Sequence, residues 1–242
     1  MDTLRQSNKL GRLMCNFVRL FALVGAVAWI SGCASVSVSK VEPAAQRPCV
    51  PDTIYVRDFR TPKSAFRVDR GGTALVDFRK DFSRMLTFAT TDRIESRMHL
   101  HAVDVPGDAV LPRKVNAWLL TGRFVHVNQG SRALRTVIGF GLGATKLETE
   151  VTVYDMSVEP PRPFLTFMTT GGSNAQPGVI PGFPINFVLV GLDTAGHLAI
   201  GLKMDVIRTS REIVAVLSEY MAHQGFIPSH DAYRAKRLGT WP

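Results

Sequence analysis

The chain has 242 residues, a hydrophobic fraction of 45%, a charged fraction of 20% and a formal net charge of +9. This balance excludes an intrinsically disordered chain, and a total of three cysteines excludes a small disulfide-stapled scaffold. Glycine has no three-residue period, which excludes collagen, and the length predicts one domain or at most two small ones.

The positive charge is unevenly distributed along the chain. Residues 1–32 carry a net charge of +3, residues 105–146 carry +5, and residues 147–202 carry −4. Nucleic-acid binders combine Lys/Arg clusters with interleaved aromatic residues or with a recognisable reading motif, and neither pattern is present. We therefore expect no nucleic-acid partner, and we expect the basic and acidic segments to pair across neighbouring strands.

Residues 1–32 have the pattern of a secretory signal peptide. A basic, polar stretch precedes Leu20–Ile30, an apolar run that is too short to span a membrane by itself. The run ends in Ile30-Ser31-Gly32-Cys33, which resembles the lipobox of bacterial lipoproteins. The resemblance implies cleavage between Gly32 and Cys33 and attachment of lipid to the Cys33 sulfur. Because no aspartate follows the cysteine, it also implies a lipid-anchored, periplasm-facing protein of the outer membrane.

One alternative to the cleaved signal stays open. Residues 20–39 carry no charge, so an uncleaved N-terminal helix that spans the membrane is the competing interpretation. If the signal is cleaved, Cys15 is lost with it, and Cys49 is the one thiol of the mature chain besides Cys33. A lone cysteine outside the cytoplasm forms an intermolecular disulfide or stays unreactive because the fold shields it.

The mature chain divides into three segments. Residues 33–51 are rich in Ser, Ala and Pro and predict a flexible tether. Residues 52–226 predict a single domain, and residues 227–242 predict a loose polar tail. The domain opens with a predicted first strand at Thr53–Phe59.

Hydrophobic spacing predicts two helices and three further strands. Apolar residues at helical spacing mark a helix over residues 75–100 (Phe78, Phe82, Met85, Leu86, Ala89) and a closing helix over residues 203–224 (Val206, Ile213, Leu217, Tyr220). Alternation with a period of two marks strands over residues 115–128, 147–154 and 164–170. It also predicts one buried and one solvent-exposed face of the sheet.

Residues 177–202 combine three prolines with an apolar stretch that contains only Asp193 and His197 as ionisable groups. Two interpretations remain for this segment. It is a buried loop that leads into the last helix, or it is an exposed apolar patch for a partner or a lipid.

The remaining motifs do not predict catalysis. The Gly139-x-Gly141-x-Gly143 run lacks the spacing of a dinucleotide or phosphate loop and precedes a strand, so we expect a tight connection. His99 and His101 lack a third ligand at a recognisable spacing. Glu148 and Glu150 are expected to pair with basic residues such as Arg123 on the neighbouring strand. We expect no enzyme, no metal and no cofactor.

Residues 120–155 resemble a family of bacterial lipoproteins that contain a domain of unknown function. The resemblance rests on residues that match the family pattern in order: Gly130, Ser131, Arg132, Arg135, Gly139, Gly141 and Gly143. The opening residues 54–59 and the closing helix also fit, so the resemblance covers residues 52–226. It implies a periplasm-facing lipoprotein domain and brings neither a reaction nor a ligand.

These observations predict an α+β domain with a mainly antiparallel sheet of about four strands and two principal helices on one face. The expected function is that of a non-enzymatic scaffold or accessory in a cell-envelope assembly, bound to the membrane by its lipid and to an unknown envelope protein. The alternative is a lipid- or glycan-binding module auxiliary to an envelope transporter. The candidate partner-binding residues are Arg132, Arg135, Gly139, Gly141 and Gly143.

Overall fold

The computed structural model describes residues 35–130, 145–173 and 200–236. Seven strands and two long helices form this part of the chain. The strands are β1 (Ser35–Pro43), β2 (Thr53–Arg57), β3 (Phe66–Arg67), β4 (His101–Val105), β5 (Ala117–Asn128), β6 (Thr145–Asp155) and β7 (Arg162–Ser173). The helices are α1 (Gly72–Arg93) and α2 (Ile200–His223); a short 3-10 turn (Lys63–Ala65) precedes β3, and a π-turn (Ile94–Met98) follows α1.

The seven strands form one mixed sheet in the order β1-β7-β6-β5-β2-β4, with β3 beside β5. Strands β5, β6, β7 and β1 are antiparallel neighbours, whereas β2 is parallel to both β4 and β5 and β3 is parallel to β5. The prediction of a mainly antiparallel sheet of about four strands is therefore wrong. The prediction missed that α1 is the crossover that parallel strands such as β2 and β4 require.

Strand β1 lies within residues 33–51, which the composition assigns to a flexible tether. Val36 and Val38 alternate with serines and have exposed fractions of 2% and 0%, and the strand pairs with β7 from Ser35↔Gly172 to Pro43↔Leu165. The short period of two in this stretch is a strand signal. The alternating residues are serines, which are also common in linkers, so composition alone does not distinguish this strand from a flexible linker.

The stripe of apolar residues predicted on α1 is confirmed. Its members are buried, and Phe78 and Phe82 stack with ring centroids 5.7 Å apart. Phe124 of β5 lies 5.1 Å from Phe82, 5.7 Å from Phe66 and 5.9 Å from Phe59, measured between ring centroids. These rings form an aromatic cluster (Phe59, Phe66, Phe78, Phe82, Phe124) between α1 and the sheet.

The stripe predicted on the closing helix α2 is confirmed in the same way. Its four members, together with Val214 and Met221, are at most 2% exposed. Gly225 ends the helix with a φ of +69°, which is a left-handed conformation that favours glycine. The N–H of Phe226 then donates to the carbonyl of Met221 at 2.8 Å. Among the described residues, neither helix is long and apolar enough to be a membrane span.

The segment after α2 is held in place as far as Lys236, which differs from the expected loose tail. The backbone N–H groups of Tyr233, Ala235 and Lys236 donate to Ser218, Glu219 and Glu212 of α2, at 3.1, 3.2 and 2.6 Å. The Lys236 carbonyl accepts a hydrogen bond from the Val38 N–H of β1 at 2.7 Å. We call residues 233–236 the C-terminal strap, which therefore links α2 to β1.

Candidate functional site

The partner-binding and lipidation residues predicted from the sequence lie outside the described residues. They are Gly32, Cys33, Arg132, Arg135, Gly139, Gly141 and Gly143. The apolar segment at residues 177–199 also lies outside them, so its two interpretations stay open. Gly130 is the last described residue before the glycine-rich loop that contains Arg132, Arg135 and Gly139-x-Gly141-x-Gly143. Its φ is +72°, and its N–H donates to Asn128 Oδ1 at 2.8 Å.

The two histidines considered as a partial metal site do not share a strand face. His99 ends the π-turn with a left-handed φ of +55°, whereas His101 is the first residue of β4. The His101 Nδ1 lies 3.6 Å from Glu95 Oε1. Cys49 is an exposed free thiol, so the idea that the fold shields it is wrong, and its carbonyl accepts the indole N–H of Trp118 at 2.9 Å.

Along β6 the sheet has one buried and one solvent-exposed face, as predicted, whereas the start of β5 is buried on both faces, where Ala117 and Leu119 cluster with Met156. Along β6, the odd-numbered residues from Thr145 to Asp155 are buried, while the even-numbered residues are half-buried or exposed. We call the solvent-exposed side the outer face. On it, Arg123 lies directly opposite Glu150 in the β5–β6 register, with Nη2 and Oε2 2.7 Å apart. The predicted cross-strand pairing is confirmed for Glu150, whereas Glu148 pairs with Lys146 of its own strand at 2.9 Å. The hydrogen bond that Arg123 donates to the Glu150 carboxylate raises the pKa of Arg123.

A shallow depression of about 240 Å³ surrounds this ion pair. We call it the Arg60 depression; it is lined by Arg60, Thr121, Gly122, Arg123, Glu150, Thr152 and Tyr154. Arg60 lies beside the depression because its backbone is hydrogen-bonded to β5. The Arg60 N–H donates to the Gly122 carbonyl at 2.8 Å, and the Phe124 N–H donates to the Arg60 carbonyl at 2.9 Å.

A second cleft, of about 420 Å³, lies between the π-turn, α2 and the residues after it. Its lining includes the apolar side chains of Met98, Leu100, Met221 and Ile227 and the side chains of Arg97, His99 and Asp231. Arg97 and Asp231 carry opposite charges, so the lining does not favour a ligand of either sign.

Helix α2 carries two carboxylates on its buried side. Glu212 and Glu219 are 2% and 6% exposed, and both accept backbone N–H groups of the C-terminal strap. Burial raises the pKa of Glu212, and the hydrogen bond from the Lys236 N–H lowers it by a smaller amount. Sequence analysis missed this pair, although acidic residues seven positions apart on an apolar stripe lie on one helix face.

The raised pKa of Glu212 predicts a pH-dependent effect of Glu212→Gln. A carboxyl whose pKa is higher in the folded chain stabilises the fold below its ordinary pKa and loses that contribution as pH rises through the folded pKa. The glutamine stays neutral and keeps an oxygen to accept the Lys236 N–H. We therefore expect a melting temperature about 2–4 °C above wild type at pH 8, with the difference closing towards pH 4.

Thermal unfolding followed by circular dichroism between pH 4 and pH 8 measures this difference. The control is Glu42→Gln, because Glu42 is exposed; it should show no such trend. A Glu212→Gln variant that is less stable than wild type at pH 8 would contradict the prediction.

Residues 54–185 match DUF4410, a domain of unknown function. The chain belongs to the DUF4410 family. The resemblance to a family of unknown function is thereby confirmed. The DUF4410 match begins in β2 and continues past the end of β7, so β1 and α2 lie outside it.

Comparison with other known proteins adds little to the DUF4410 assignment. No curated protein matches the chain. Among solved structures, the PelC dodecamer from Paraburkholderia phytofirmans has 9% identity and a TM-score of 0.37, covering 73% of this chain and 94% of that one. The hypothetical protein CT253 from Chlamydia trachomatis has 12% identity and a TM-score of 0.41, covering 72% and 99%. Both similarities are weak.

Proposed function

We propose that the protein is a lipoprotein of the outer membrane, anchored through Cys33, and that its periplasmic domain is a non-enzymatic scaffold or accessory of a larger envelope assembly. The observation that carries this proposal is the edge strand β1. It is the first strand in the order of the sheet and begins at Ser35, two positions after Cys33. A lipid on Cys33 would therefore hold the edge of the sheet next to the bilayer.

An edge strand is a template for another strand. β1 pairs with β7 along one side, and on its other side the Val38 N–H bonds to the C-terminal strap. The strap thus occupies this side of β1 at Val38. Backbone groups of an edge strand that have no neighbouring strand pair readily with an added one, and proteins use this mode to bind partner segments. We therefore take β1 as the candidate surface for an envelope partner.

The anchor is tested by metabolic labelling with palmitate in the native host or a close relative. Cys33→Ala should abolish labelling and release the protein from the outer-membrane fraction. Cys49→Ala removes the other thiol of the mature chain and should be labelled as wild type. Undiminished labelling of Cys33→Ala would contradict the lipoprotein assignment.

The assembly role is tested by photo-crosslinking in living cells. A photoreactive residue at Ser39, in β1, should give a discrete adduct with an envelope protein. The same residue at Val110, which is 96% exposed and lies between β4 and β5, should not. Ser39→Lys should weaken the partner interaction, because a charge on an edge strand opposes strand addition. Identical adducts at both positions, or none at Ser39, would contradict the use of β1.

The glycine-rich loop supplies a separate candidate for the same role. Reversing its charge with Arg132→Glu and Arg135→Glu should change the set of crosslinked partners if the loop binds one. An unchanged partner set would remove Arg132, Arg135 and the neighbouring Gly139, Gly141 and Gly143 from consideration and leave β1 as the candidate.

A further inference from the structure

Two arginines lie side by side on the outer face of the sheet. Arg60 and Arg123 are partners in a parallel β-bridge, and both side chains line the Arg60 depression. The backbone hydrogen bonds on both sides of Arg60 determine its position. Like charges at directly opposed positions raise the free energy of a sheet. Solvent screens this repulsion in part, since Arg60 is exposed, and a negative charge beside the pair would lower it further.

The depression contains one carboxylate, that of Glu150, for its two arginines. The Glu150 carboxylate bonds to Arg123 at 2.7 Å. Within the part of the chain that the structure describes, no ion pair and no side-chain hydrogen bond involves Arg60. The lining residues therefore carry a net charge of +1, located at an exposed guanidinium. A guanidinium binds carboxylate and phosphate oxygens through two parallel hydrogen bonds.

The other residues of the lining indicate which class of molecule would bring an anionic group to Arg60. Three lining residues carry hydroxyls, namely Thr121, Thr152 and Tyr154. The first two hydroxyls also form long hydrogen bonds of 3.4 Å within the sheet. Gly122 is the only lining residue without a polar side chain. Sites for acyl chains and other apolar ligands are lined mainly by hydrophobic side chains. The volume of about 240 Å³ is below the range of about 300–1,000 Å³ for drug-sized ligands. These features suit one small, hydroxyl-rich group.

We propose that the Arg60 depression binds an acidic sugar unit, whose carboxylate or phosphate pairs with Arg60 and whose hydroxyls bond to Thr121, Thr152, Tyr154 and Glu150. The site is independent of Cys33 and of β1, so it goes beyond the scaffold role. It gives the domain a ligand that is a component of a glycan chain.

Isothermal titration of the full-length protein in detergent at low ionic strength tests the proposal. The probes are a glucuronic acid oligosaccharide, a neutral glucose oligosaccharide of the same length, glucose 6-phosphate and inorganic phosphate. We expect the acidic oligosaccharide or the sugar phosphate to bind and the neutral oligosaccharide to bind at least tenfold more weakly. The tighter of the two acidic probes identifies the anion. Inorganic phosphate that binds as tightly as both would overturn the sugar specificity.

Three variants separate a specific site from general electrostatic attraction. Arg60→Gln should weaken binding of the acidic probe at least tenfold, and Arg60→Lys should weaken it less, because lysine keeps the charge and loses the paired geometry. Arg113→Gln is the matched control, since Arg113 is an exposed arginine outside the depression; it should bind as wild type. Equal binding by Arg60→Gln and wild type, or equal losses in Arg60→Gln and Arg113→Gln, would overturn the proposal. Unchanged melting temperatures would show that the variants are folded.

Discussion

Phe124→Ala is expected to lower the free energy of unfolding by about 3–5 kcal/mol, the range for truncating a buried aromatic side chain. Phe124 is 0% exposed and contacts three other rings of the aromatic cluster (Phe59, Phe66, Phe82). Those rings come from the segment after β2, from β3 and from α1. They cannot all move into the space that the alanine leaves, because separate backbone elements hold them, and a cavity remains.

Urea denaturation followed by tryptophan fluorescence measures this loss. Phe88→Ala is the control, since Phe88 lies on α1 but is 42% exposed, and we expect it to cost less than about 1 kcal/mol. Similar losses in the two variants would show that the aromatic cluster does not form the central part of the core.

Gly122→Ala is expected to cost about 3 kcal/mol, at the upper end of the range for overpacking. A Cβ at this position would lie 2.3 Å from Cε1 of Phe59 and 3.0 Å from the Glu150 carbonyl oxygen. Phe59 is buried against Phe124 and cannot rotate away without disturbing the aromatic cluster. The absence of a side chain at Gly122 is therefore what lets the segment at Phe59 and Arg60 lie against β5.

The same denaturation assay with Gly107→Ala as control tests this prediction. The nearest atom to a Cβ at Gly107 is Asp58 Cβ, at 3.9 Å, which is ordinary van der Waals contact. We expect Gly107→Ala to be within about 0.5 kcal/mol of wild type. Because Gly122 accepts the Arg60 N–H, Gly122→Ala should also weaken binding of the acidic probe. A Gly122→Ala variant as stable as Gly107→Ala would contradict the close packing described.

The helices and strands that could be predicted from the sequence are those with a hydrophobic period visible within a single segment. Both helices and the strands β5, β6 and β7 have apolar residues at a period that one segment reveals by itself. The pairing of Arg123 with Glu150 was also predictable, because strands that follow one another in the chain are often antiparallel neighbours and one buried face restricts their register. Charge complementarity between the two segments then selects the partner.

The elements that sequence missed depend on distant parts of the chain. β1 pairs with a strand more than 120 residues away, and its composition resembles a linker. β4 has five residues after a π-turn, and the direction of β2 relative to β5 follows from a crossover and not from any local period. Arg60 and Arg123 are paired by an isolated β-bridge outside the named strands, so no local sequence pattern predicts that they are neighbours. Buried Glu212 was missed because its hydrogen-bond partner lies in the C-terminal strap.

The position of β1 along the chain, far from the segments that it contacts, bears on when it can pair with the sheet. The chain begins its described part with this strand, yet its partner β7 ends at Ser173 and the strap that bonds Val38 is at Lys236. Closing a loop of more than 120 residues costs more conformational entropy than pairing β5, β6 and β7, which follow one another in the chain, so we expect contacts of this span to form late. If the chain is exported from its N-terminus, as we propose, Val36 and Val38 would reach the periplasm long before the residues that bury them. The proposed modification of Cys33 would then occur on an unfolded segment, and β1 would be the last strand to join the sheet.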